Sequence, residues 1–493
     1  MQNGTLLAAL DLGSNSFRLE IGRYHSGHIE RIEYLKETVR LGGGLDDHKV
    51  LSHDAMKRGW DCLARFAERL HGFRKQQVRA VATQTLREAR NRDEFLERAQ
   101  AILGFPIEVV SGQEEARLIY QGVSHLLPQS DERRLVVDIG GRSTEVILGQ
   151  GYDASRMESY RLGSVAWGKY FPRGQVTASA FRTAEIAAKA VLEQALDSFP
   201  PTEWTVAYGS SGTVSAINTM LGANGWASGV VTRSGLDWLT ERIVEAGNVH
   251  DLKLDGLKED RRPVLCGGVS VLRAIFDLFD IQQMIPAKGA LRQGALFDLI
   301  DRQNDDTDAR ERTVRWLAER FSIDEGQARR VSHVATALFA QIAEDDPLSG
   351  RWSQKLAWAA RLHEIGTHIS HDRSYHHGAY ILDNVDAPGF SMPELHRMSQ
   401  LVLGQRGKLK KLEQALREEL FAKQLLCLRL AVLLCHARQM PDHGALRLTC
   451  KHRTFKLTTA SGWGKRFPQS AWLLQEEAAA WQKTDWKLSL DVR

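Results

Sequence analysis

The sequence LVVDIGGRSTEVIL, residues 135–148, decides the fold predicted for this chain. An apolar run enters a Gly-Gly corner and a second apolar run leaves it, a pattern typical of a β-hairpin. The corner carries Asp138, Gly140, Gly141, Ser143 and Glu145. Glycines let backbone N–H groups approach an anion, and carboxylates are ligands that Mg²⁺ prefers. The hairpin is therefore either a phosphate-binding corner or a plain structural turn.

A second stretch near the N-terminus has the same layout. The sequence LLAALDLGSNSFRLEIG, residues 6–22, runs from an apolar segment through Asp11, a glycine and hydroxyls into another apolar segment. Two such hairpins, roughly 125 residues apart, indicate a duplicated unit. The alternative is that Asp, Gly and Ser are simply common in turns.

The bulk composition indicates a multidomain globular protein. A chain of 493 residues is too long for one core, so about three or four domains are expected. It is 43% hydrophobic and 26% charged, and it has no stretch near the roughly 18 apolar residues of a membrane span. The five cysteines lack metal-site spacing, which indicates reduced thiols. We therefore expect a cytoplasmic protein without integral membrane association.

The first 300 residues alternate strand and helix patterns, which predicts an α/β fold. Predicted helices cover 52–70 and 91–103, and predicted strands cover 78–87 and 107–110. A helix begins at about Gln113, directly after a strand. Glycine corners at 209–213 and 267–268 also lie where a strand pattern meets a helix pattern, the position at which α/β folds hold phosphate.

The remainder of the chain reads differently. Residues 301–308 are polar and acidic, which indicates a linker, and then come six predicted helices, over 310–321, 324–344, 353–364, 374–384, 392–403 and 408–439. Alternating strand patterns and one helix, 469–482, follow near the C-terminus. The predicted domains are 1–118, 119–300, 301–440 and 441–493. Residues 391–493 carry 18 basic and 9 acidic side chains, which favours a polyanionic partner or a solvated surface.

Five ordered motifs resemble one known family, the exopolyphosphatase/guanosine pentaphosphate phosphohydrolase (Ppx/GppA) family in its long bacterial form. The motifs are DLGSNSFR at 11–18, TQTLR at 83–87, SGQEEARL at 111–118, DIGGRSTE at 138–145 and YGSSGT at 208–213. The resemblance implies two duplicated actin-like (ribonuclease H-like) α/β domains with a cleft between them, an all-helical HD-like domain and a small α+β domain. It also implies hydrolysis of a terminal phosphoanhydride with Mg²⁺ or another divalent cation.

The candidate general base is Glu115, which falls just after a strand in the first turn of a helix and matches the catalytic glutamate of the resembled family. Such a reaction needs a water placed in line with the leaving oxygen and a group that holds this water. The sequence leaves open whether Glu115 or Glu114 faces the cleft. Both could also merely complement the positive end of the helix dipole.

The other predicted site residues fall into two groups. Asp138, Glu145 and Asp11 are the predicted metal ligands. Arg18 and Arg87 are predicted to contact phosphate oxygens through their guanidinium groups. Backbone N–H or hydroxyl donors to phosphate are predicted from Asn15, Ser16, Gly140, Gly141, Ser143, Gly212 and Thr213. A purely structural turn role is the alternative for the small residues.

Two positions depart from the patterns they resemble. Arg142 stands where the family normally has Gly or Ala, so it is expected to be strained if its φ is positive, or to add a phosphate contact if not. His363-Glu364 stands where an HD phosphohydrolase needs His-Asp, and we expect a scaffold there rather than a metal site.

Two substrates fit the resemblance. The leading hypothesis is an exopolyphosphatase acting on inorganic polyphosphate, because the C-terminal part is basic and residues 375–390 look like that branch. The alternative is hydrolysis of guanosine pentaphosphate (pppGpp) to the tetraphosphate (ppGpp). A sugar or acetate kinase on the same fold and a non-catalytic binder are more distant alternatives. We expect a homodimer and no nucleic-acid partner.

Overall fold

The computed structural model describes residues 1–128, 130–303, 307–343 and 349–492. The chain forms two compact units, Met1–Asp308 and Ala309–Arg493, each with its own hydrophobic core. Three residues of the predicted linker (304–306) and residue 344, the end of a predicted helix, lie outside the described residues.

The first half of the first unit is built on a five-stranded sheet with four helices. The strands are β1 (Leu6–Leu12), β2 (Phe17–His25), β3 (His28–Glu37), β4 (Val78–Ala82) and β5 (Ile107–Val109). The helices are α1 (His53–Arg69), α2 (Gln84–Glu88), α3 (Arg92–Leu103) and α4 (Gly112–Ser124). Strand β1 is buried along nearly its whole length, as its continuous apolar run requires of a central strand.

The second half of this unit is built on a six-stranded sheet with six helices. The strands are β6 (Arg133–Ile139), β7 (Thr144–Gln150), β8 (Asp153–Tyr160), β9 (Val206–Ser210), β10 (Val231–Thr232) and β11 (Gln283–Pro286). The helices are α5 (Ala178–Leu192), α6 (Ala195–Ser198), α7 (Ser211–Ala223), α8 (Arg233–Ala246), α9 (Leu265–Leu278) and α10 (Leu291–Asp301).

The two sheets share a strand order. The first runs β3-β2-β1-β4-β5, and the second contains the run β8-β7-β6-β9-β11 followed by β10. In both, the first hairpin is antiparallel, and its first strand pairs in parallel with the fourth strand along the chain, β4 in one sheet and β9 in the other. The last pairs are Leu12 with Phe17 and Ile139 with Thr144, so each hairpin has a four-residue tip. This is the topology that the predicted duplication requires, although duplication itself stays a prediction.

The strand predicted over residues 78–87 is wrong beyond Ala82. Strand β4 ends there, and residues 84–88 form the single-turn helix α2. The β-branched Thr83 and Thr85 favour a strand in the sequence. Extended Thr83 instead precedes the helix, and Arg87 Nε donates to Gln84 Oε1 (3.0 Å) across its one turn.

Helices α4 and α10 cross in backbone contact. A Cβ atom on Gly294 would lie 1.7 Å from the Leu118 carbonyl oxygen, and one on Gly122 would lie 2.2 Å from the Ala290 carbonyl oxygen. Only hydrogen fits at these two positions, so glycine fixes the separation of the helices. Because Glu115 lies in the first turn of α4, this contact also fixes the position of Glu115.

The described residues of the second unit begin with six α-helices. They are α11 (Ala309–Arg320), α12 (Glu325–Ile342), α13 (Ser349–Arg361), α14 (Ser374–Asn384), α15 (Met392–Gly404) and α16 (Glu419–Leu434). A three-stranded sheet and two helices follow: β12 (Leu446–Lys451), β13 (Thr454–Thr459), α17 (Trp463–Arg466), α18 (Pro468–Trp481) and β14 (Lys487–Asp491). The predicted mixture of strands and a helix at the C-terminal end is confirmed.

The single helix predicted over 408–439 is wrong. Two 3-10 turns, Leu409–Leu412 and Ala415–Arg417, precede α16, and Glu418 between them and the helix is extended. Leu409 and Leu412 are both buried. Side chains three apart point the same way in a 3-10 turn, so this conformation buries both leucines together.

Among the described residues, none of the helices has the length and apolar character needed to cross a bilayer. All five cysteines are free thiols, and four of them are buried.

We predict that Gly294→Ala destabilises the first unit by about 3 kcal/mol or more, because the added methyl group overlaps a backbone carbonyl. Gly222→Ala is the matched control, since a Cβ there has only the Ser228 hydroxyl nearby, at 3.9 Å. The control is expected to be neutral or stabilising by up to about 1 kcal/mol. Denaturant unfolding of both variants measures this, and equal stability of the two would contradict the close crossing of α4 and α10.

Candidate active site

The tips of the β1–β2 and β6–β7 hairpins meet. A Cβ atom on Gly141 would lie 3.1 Å from Ser14 Cβ and 3.6 Å from the Asn15 backbone nitrogen. A cleft opens beside this contact, and eleven of the thirteen predicted site residues line it. They are Asp11, Asn15, Ser16, Arg18, Glu115, Asp138, Gly140, Gly141, Ser143, Gly212 and Thr213. Arg87 and Glu145 are not among the lining residues.

Glu114 does not face this cleft. It is fully buried, and it accepts hydrogen bonds from Arg79 Nη2 (2.9 Å) and Arg117 Nε (2.7 Å). Burial by itself raises the pKa of Glu114, but Arg117 and then Arg79 outweigh it, so the pKa is lowered. Both arginines also pair with Asp298 of α10. Glu114 therefore belongs to an ionic network that joins α4 to α10.

Glu115 lines the cleft. It lies in the first turn of α4 beside Glu114, where Ser111 caps the helix by accepting from the Glu114 N–H (3.1 Å). Arg87 donates from Nη1 and Nη2 to Glu115 Oε2, both at 3.2 Å. Burial raises the pKa of Glu115 to about 7. Arg87 opposes this rise, while Asp11 and other nearby carboxylates add to it.

Two further carboxylates lie close to Glu115. Burial raises the pKa of Asp138 to about 6, with Ser210 and Arg18 opposing the rise. Burial, followed by repulsion from Glu115, raises the pKa of Glu145 well above its usual value. Glu145 Oε1 accepts a hydrogen bond from the Ser159 hydroxyl (2.7 Å). The site therefore brings several buried carboxyl groups together, and the neighbouring arginines only partly offset the rise in their pKa.

The predicted magnesium ligands do not form a ready-made cage. Within the ranges that the structure describes, no three His, Cys, Asp or Glu side chains are grouped so as to hold a metal ion. Mg²⁺ usually takes one or two protein carboxylates and completes its shell with water and substrate phosphates. The excess of buried carboxylates fits a cation of that kind, so Mg²⁺ and the ligands Asp138, Glu145 and Asp11 stay predictions.

The phosphate-binding prediction gains support from unpaired donors. Arg18 Nη1 donates to Asp11 Oδ2 (3.2 Å), and Arg292 Nη1 lies 3.5 Å from the same oxygen. Among the described residues, Ser16 Oγ and Arg18 Nε are buried without a hydrogen-bond partner. A buried donor without a partner costs about 1–3 kcal/mol, which a bound anion would recover.

Sequence reasoning missed one cation in the cleft. Arg261 lines it, and a Cβ atom on Gly212 would lie 2.1 Å from Arg261 Nη2, so the guanidinium lies directly over this glycine. Burial and then repulsion from Arg18 lower the pKa of Arg261. No motif marks Arg261, because its position depends on the tertiary fold and not on a local turn.

The hydroxyl of Thr213, a predicted phosphate donor, already has a partner within the protein. Its hydroxyl donates to the Ile139 carbonyl oxygen (2.9 Å), as does the hydroxyl of Ser211 (2.8 Å). These two bonds tie the start of α7 to the β6–β7 hairpin. Ser211 also has a φ of 74°, so the corner between β9 and α7 holds backbone strain.

Arg142 has neither of the two properties considered from the sequence. It is not among the residues with positive φ, and it does not line the cleft. Arg142 Nη1 donates to the Gly42 carbonyl oxygen and Nη2 to Glu88 Oε2, both at 3.3 Å. Its side chain therefore reaches across to the half of the unit that carries the β1–β2 hairpin.

In the second unit, His363 is buried and its Nδ1 lies 2.7 Å from the Ala360 carbonyl oxygen. Glu364 Oε1 accepts from Arg438 Nη2 (2.8 Å), and Arg438 Nη1 donates to Asp324 Oδ2 (2.7 Å). Both groups therefore have structural partners. This favours the predicted scaffold role, and the HD-like character of this unit stays a prediction.

We predict a pH-dependent effect of Glu115→Gln on stability. The folded-state pKa of Glu115 lies above its ordinary 4.5, so its contribution to stability is complete below pH 4.5 and is lost as pH rises through about 7. With divalent cations removed, the variant should unfold roughly 2 °C or more above the parent at pH 8, and at the same temperature at pH 4.5.

Thermal unfolding at both pH values checks this, with Glu97→Gln on the exposed side of α3 as the control. The control should show no difference that depends on pH. An unfolding temperature of the Glu115→Gln variant below that of the parent at pH 8 would contradict the assigned environment of Glu115.

Two family models match the chain. The "Ppx/GppA phosphatase family" model matches residues 21–303, and the "Ppx/GppA phosphatase, domain III" model matches residues 309–478. A guanosine-5′-triphosphate,3′-diphosphate pyrophosphatase of Photobacterium profundum is 38% identical over 99% of this chain and 98% of its own length. A protein of the same name from Vibrio atlanticus is 39% identical over the same shares.

Solved structures support the fold over about 60% of the chain. An exopolyphosphatase from Cytophaga hutchinsonii matches with a TM-score of 0.54 and 23% identity, over 60% of this chain and 98% of that one. The Ppx/GppA protein of Aquifex aeolicus matches with a TM-score of 0.52 and 24% identity, over 61% of this chain and 99% of that one. The predicted actin-like α/β architecture is confirmed at the level of its mixed sheets.

The resemblance seen in the five motifs is thus confirmed over the length of the chain, and so is the prediction of an enzyme that hydrolyses phosphoanhydride bonds. The chain belongs to the Ppx/GppA phosphatase family.

Proposed function

We propose that this enzyme hydrolyses the terminal 5′ phosphoanhydride of guanosine pentaphosphate, releasing phosphate and guanosine tetraphosphate. The observation that carries the proposal is the buried carboxylate of Glu115, which faces a cleft lined by two glycine- and hydroxyl-rich hairpin tips. A carboxylate with a pKa of about 7 is half ionised at neutral pH, which suits a general base.

The reaction divides among the residues of the cleft. Glu115 accepts a proton from a water molecule as the water oxygen attacks the terminal phosphorus. The bond from this phosphorus to the bridging oxygen breaks, and the electron pair leaves with that oxygen on the tetraphosphate. Arg18 and the hairpin-tip donors hold the phosphate oxygens, where N–H and O–H groups stabilise the charge that spreads over the transferring group.

Arg87 is proposed to orient the Glu115 carboxylate. Its guanidinium holds the Glu115 carboxylate, with both contacts at 3.2 Å, and it donates to the Val110 carbonyl oxygen (2.7 Å). This supports a role in orienting the base, whereas a direct phosphate contact by Arg87 stays a prediction.

A divalent cation suits the cleft because carboxylates outnumber the cations that pair with them. Asp138, Asp11 and Glu145 would hold it, directly or through water. When bound, such a cation neutralises negative charge on the substrate phosphates.

The choice of substrate reverses the order predicted from the sequence. Exopolyphosphatase was the leading hypothesis, but relatives that match this chain over nearly its whole length are named for guanosine pentaphosphate. The solved exopolyphosphatase covers only 60% of the chain at 23% identity, and it supports the fold alone. Polyphosphate is therefore the second candidate substrate, and the kinase and the non-catalytic binder are the more distant ones.

We infer a homodimer in the cytoplasm, with a guanosine nucleotide as its small-molecule partner and no nucleic acid.

The test is phosphate release from guanosine pentaphosphate and from long-chain polyphosphate, at matched concentrations of chain ends. We expect a higher kcat/KM for the nucleotide, and phosphate release without any acceptor. Glu115→Gln should lower hydrolysis at least about 10²-fold while the variant still binds the nucleotide, because only the proton acceptor is lost.

The control is again Glu97→Gln, which should keep full activity. A higher kcat/KM for polyphosphate would contradict the substrate choice. Unchanged turnover of the Glu115→Gln variant would contradict the assignment of the base, and a requirement for an acceptor would favour a kinase.

A further inference from the structure

Arg142 contacts both halves of the first unit. It belongs to the tip of the β6–β7 hairpin, and its guanidinium contacts the Gly42 carbonyl oxygen and the Glu88 carboxylate, each at 3.3 Å. The side chains of Arg142 and Glu88 are 24% and 11% exposed. Ion pairs at this depth are screened less than surface pairs, so this contact constrains its surroundings more than a surface pair would.

A chain of hydrogen bonds leads from Glu88 to the candidate base. Glu88 Oε1 accepts from Gln84 Nε2 (2.7 Å), and Gln84 Oε1 accepts from Arg87 Nε (3.0 Å). Arg87 in turn donates to Glu115 Oε2 at 3.2 Å. Since a carboxylate can only accept, Glu88 turns the amide nitrogen of Gln84 toward itself, and the amide oxygen must then face Arg87.

We propose that Arg142 is a positioning residue: by holding Glu88 it fixes Gln84 and Arg87, and so sets the Glu115 carboxylate in its working orientation when the two hairpin tips meet. The inference rests on the proposed function, in which Glu115 is the base. Arg142 does not line the cleft, so it acts through these residues and not through contact with the substrate.

A neighbouring arginine offers a matched control. Arg161 Nε also approaches Glu88 Oε1, but at 3.9 Å and with a side chain that is 75% exposed. At this distance and exposure an ion pair contributes little. Arg161 therefore places a positive charge near the same carboxylate as Arg142 does. It differs from Arg142 because its side chain is far more exposed and because the contact with the Gly42 carbonyl oxygen belongs to Arg142.

The experiment measures kcat and KM for guanosine pentaphosphate in Arg142→Ala, Gln84→Ala, the double variant, Arg142→Lys and Arg161→Ala. Arg142→Ala should lower kcat about 10-fold with KM changed less than about twofold, since a misplaced base slows the chemical step more than binding. The double variant should have the kcat of the slower single variant, because both substitutions interrupt one chain of contacts.

Arg142→Lys should have a kcat at least about threefold higher than that of Arg142→Ala, because an ammonium keeps the ion pair with Glu88. Arg161→Ala should match the parent enzyme. A folded Arg142→Ala variant with kcat within about twofold of the parent would overturn the proposal, and so would fully multiplicative losses in the double variant.

Failure of this inference is distinguishable from failure of the proposed function. If the parent hydrolyses the nucleotide, Glu115→Gln does not, and Arg142→Ala is unaffected, then only the positioning role is wrong. If the parent releases no phosphate from the nucleotide, or if Glu115→Gln retains full turnover, the proposed function itself is wrong and the positioning role falls with it.

Discussion

The burial of Glu115 among other carboxylates is the constraint on which the rest of the site depends. Burial and the nearby negative charges raise its pKa to about 7, and Arg87 only partly opposes them. A carboxylate in such a place would turn toward water if its helix could move. The neighbouring residue on α4 prevents this, because Glu114 pairs with Arg79 and Arg117 in a buried ionic network. Adjacent glutamates thus differ in their surroundings, since Glu114 anchors the helix and Glu115 faces the cleft.

The second anchor of α4 is steric. Gly122 and Gly294 let α4 and α10 touch through their backbones, and the network of arginines and Asp298 joins the same two helices. Since α10 begins beside the cleft and α4 carries Glu115, this glutamate is positioned by elements from both halves of the unit. A rigid frame of this kind is what a reaction needs when it depends on placing a water molecule and has little covalent chemistry of its own.

The sequence was sufficient wherever the determinants are local. The two hairpins follow from apolar runs on either side of a polar corner. Prediction from the sequence failed where tertiary contacts determine the local conformation or the partner of a side chain. The residues after Ala82 were expected to continue a strand, yet they form the short helix whose side chains lead to Glu115. Arg261 and Arg142 reach their partners from distant parts of the chain, and no spacing in the sequence indicates those contacts. The choice between Glu114 and Glu115 required knowing which side of α4 meets Arg79.

In the proposed complex, Glu115 faces the terminal phosphate held between the two hairpin tips. The most direct measurement is a crystal structure of the enzyme with a non-hydrolysable analogue of guanosine pentaphosphate and Mg²⁺. We expect the terminal phosphate between the tips, with a water molecule in hydrogen-bond reach of the Glu115 carboxylate and roughly 3–3.5 Å from phosphorus. A terminal phosphate bound away from the tips, or a Glu115 side chain turned away from it, would contradict the account.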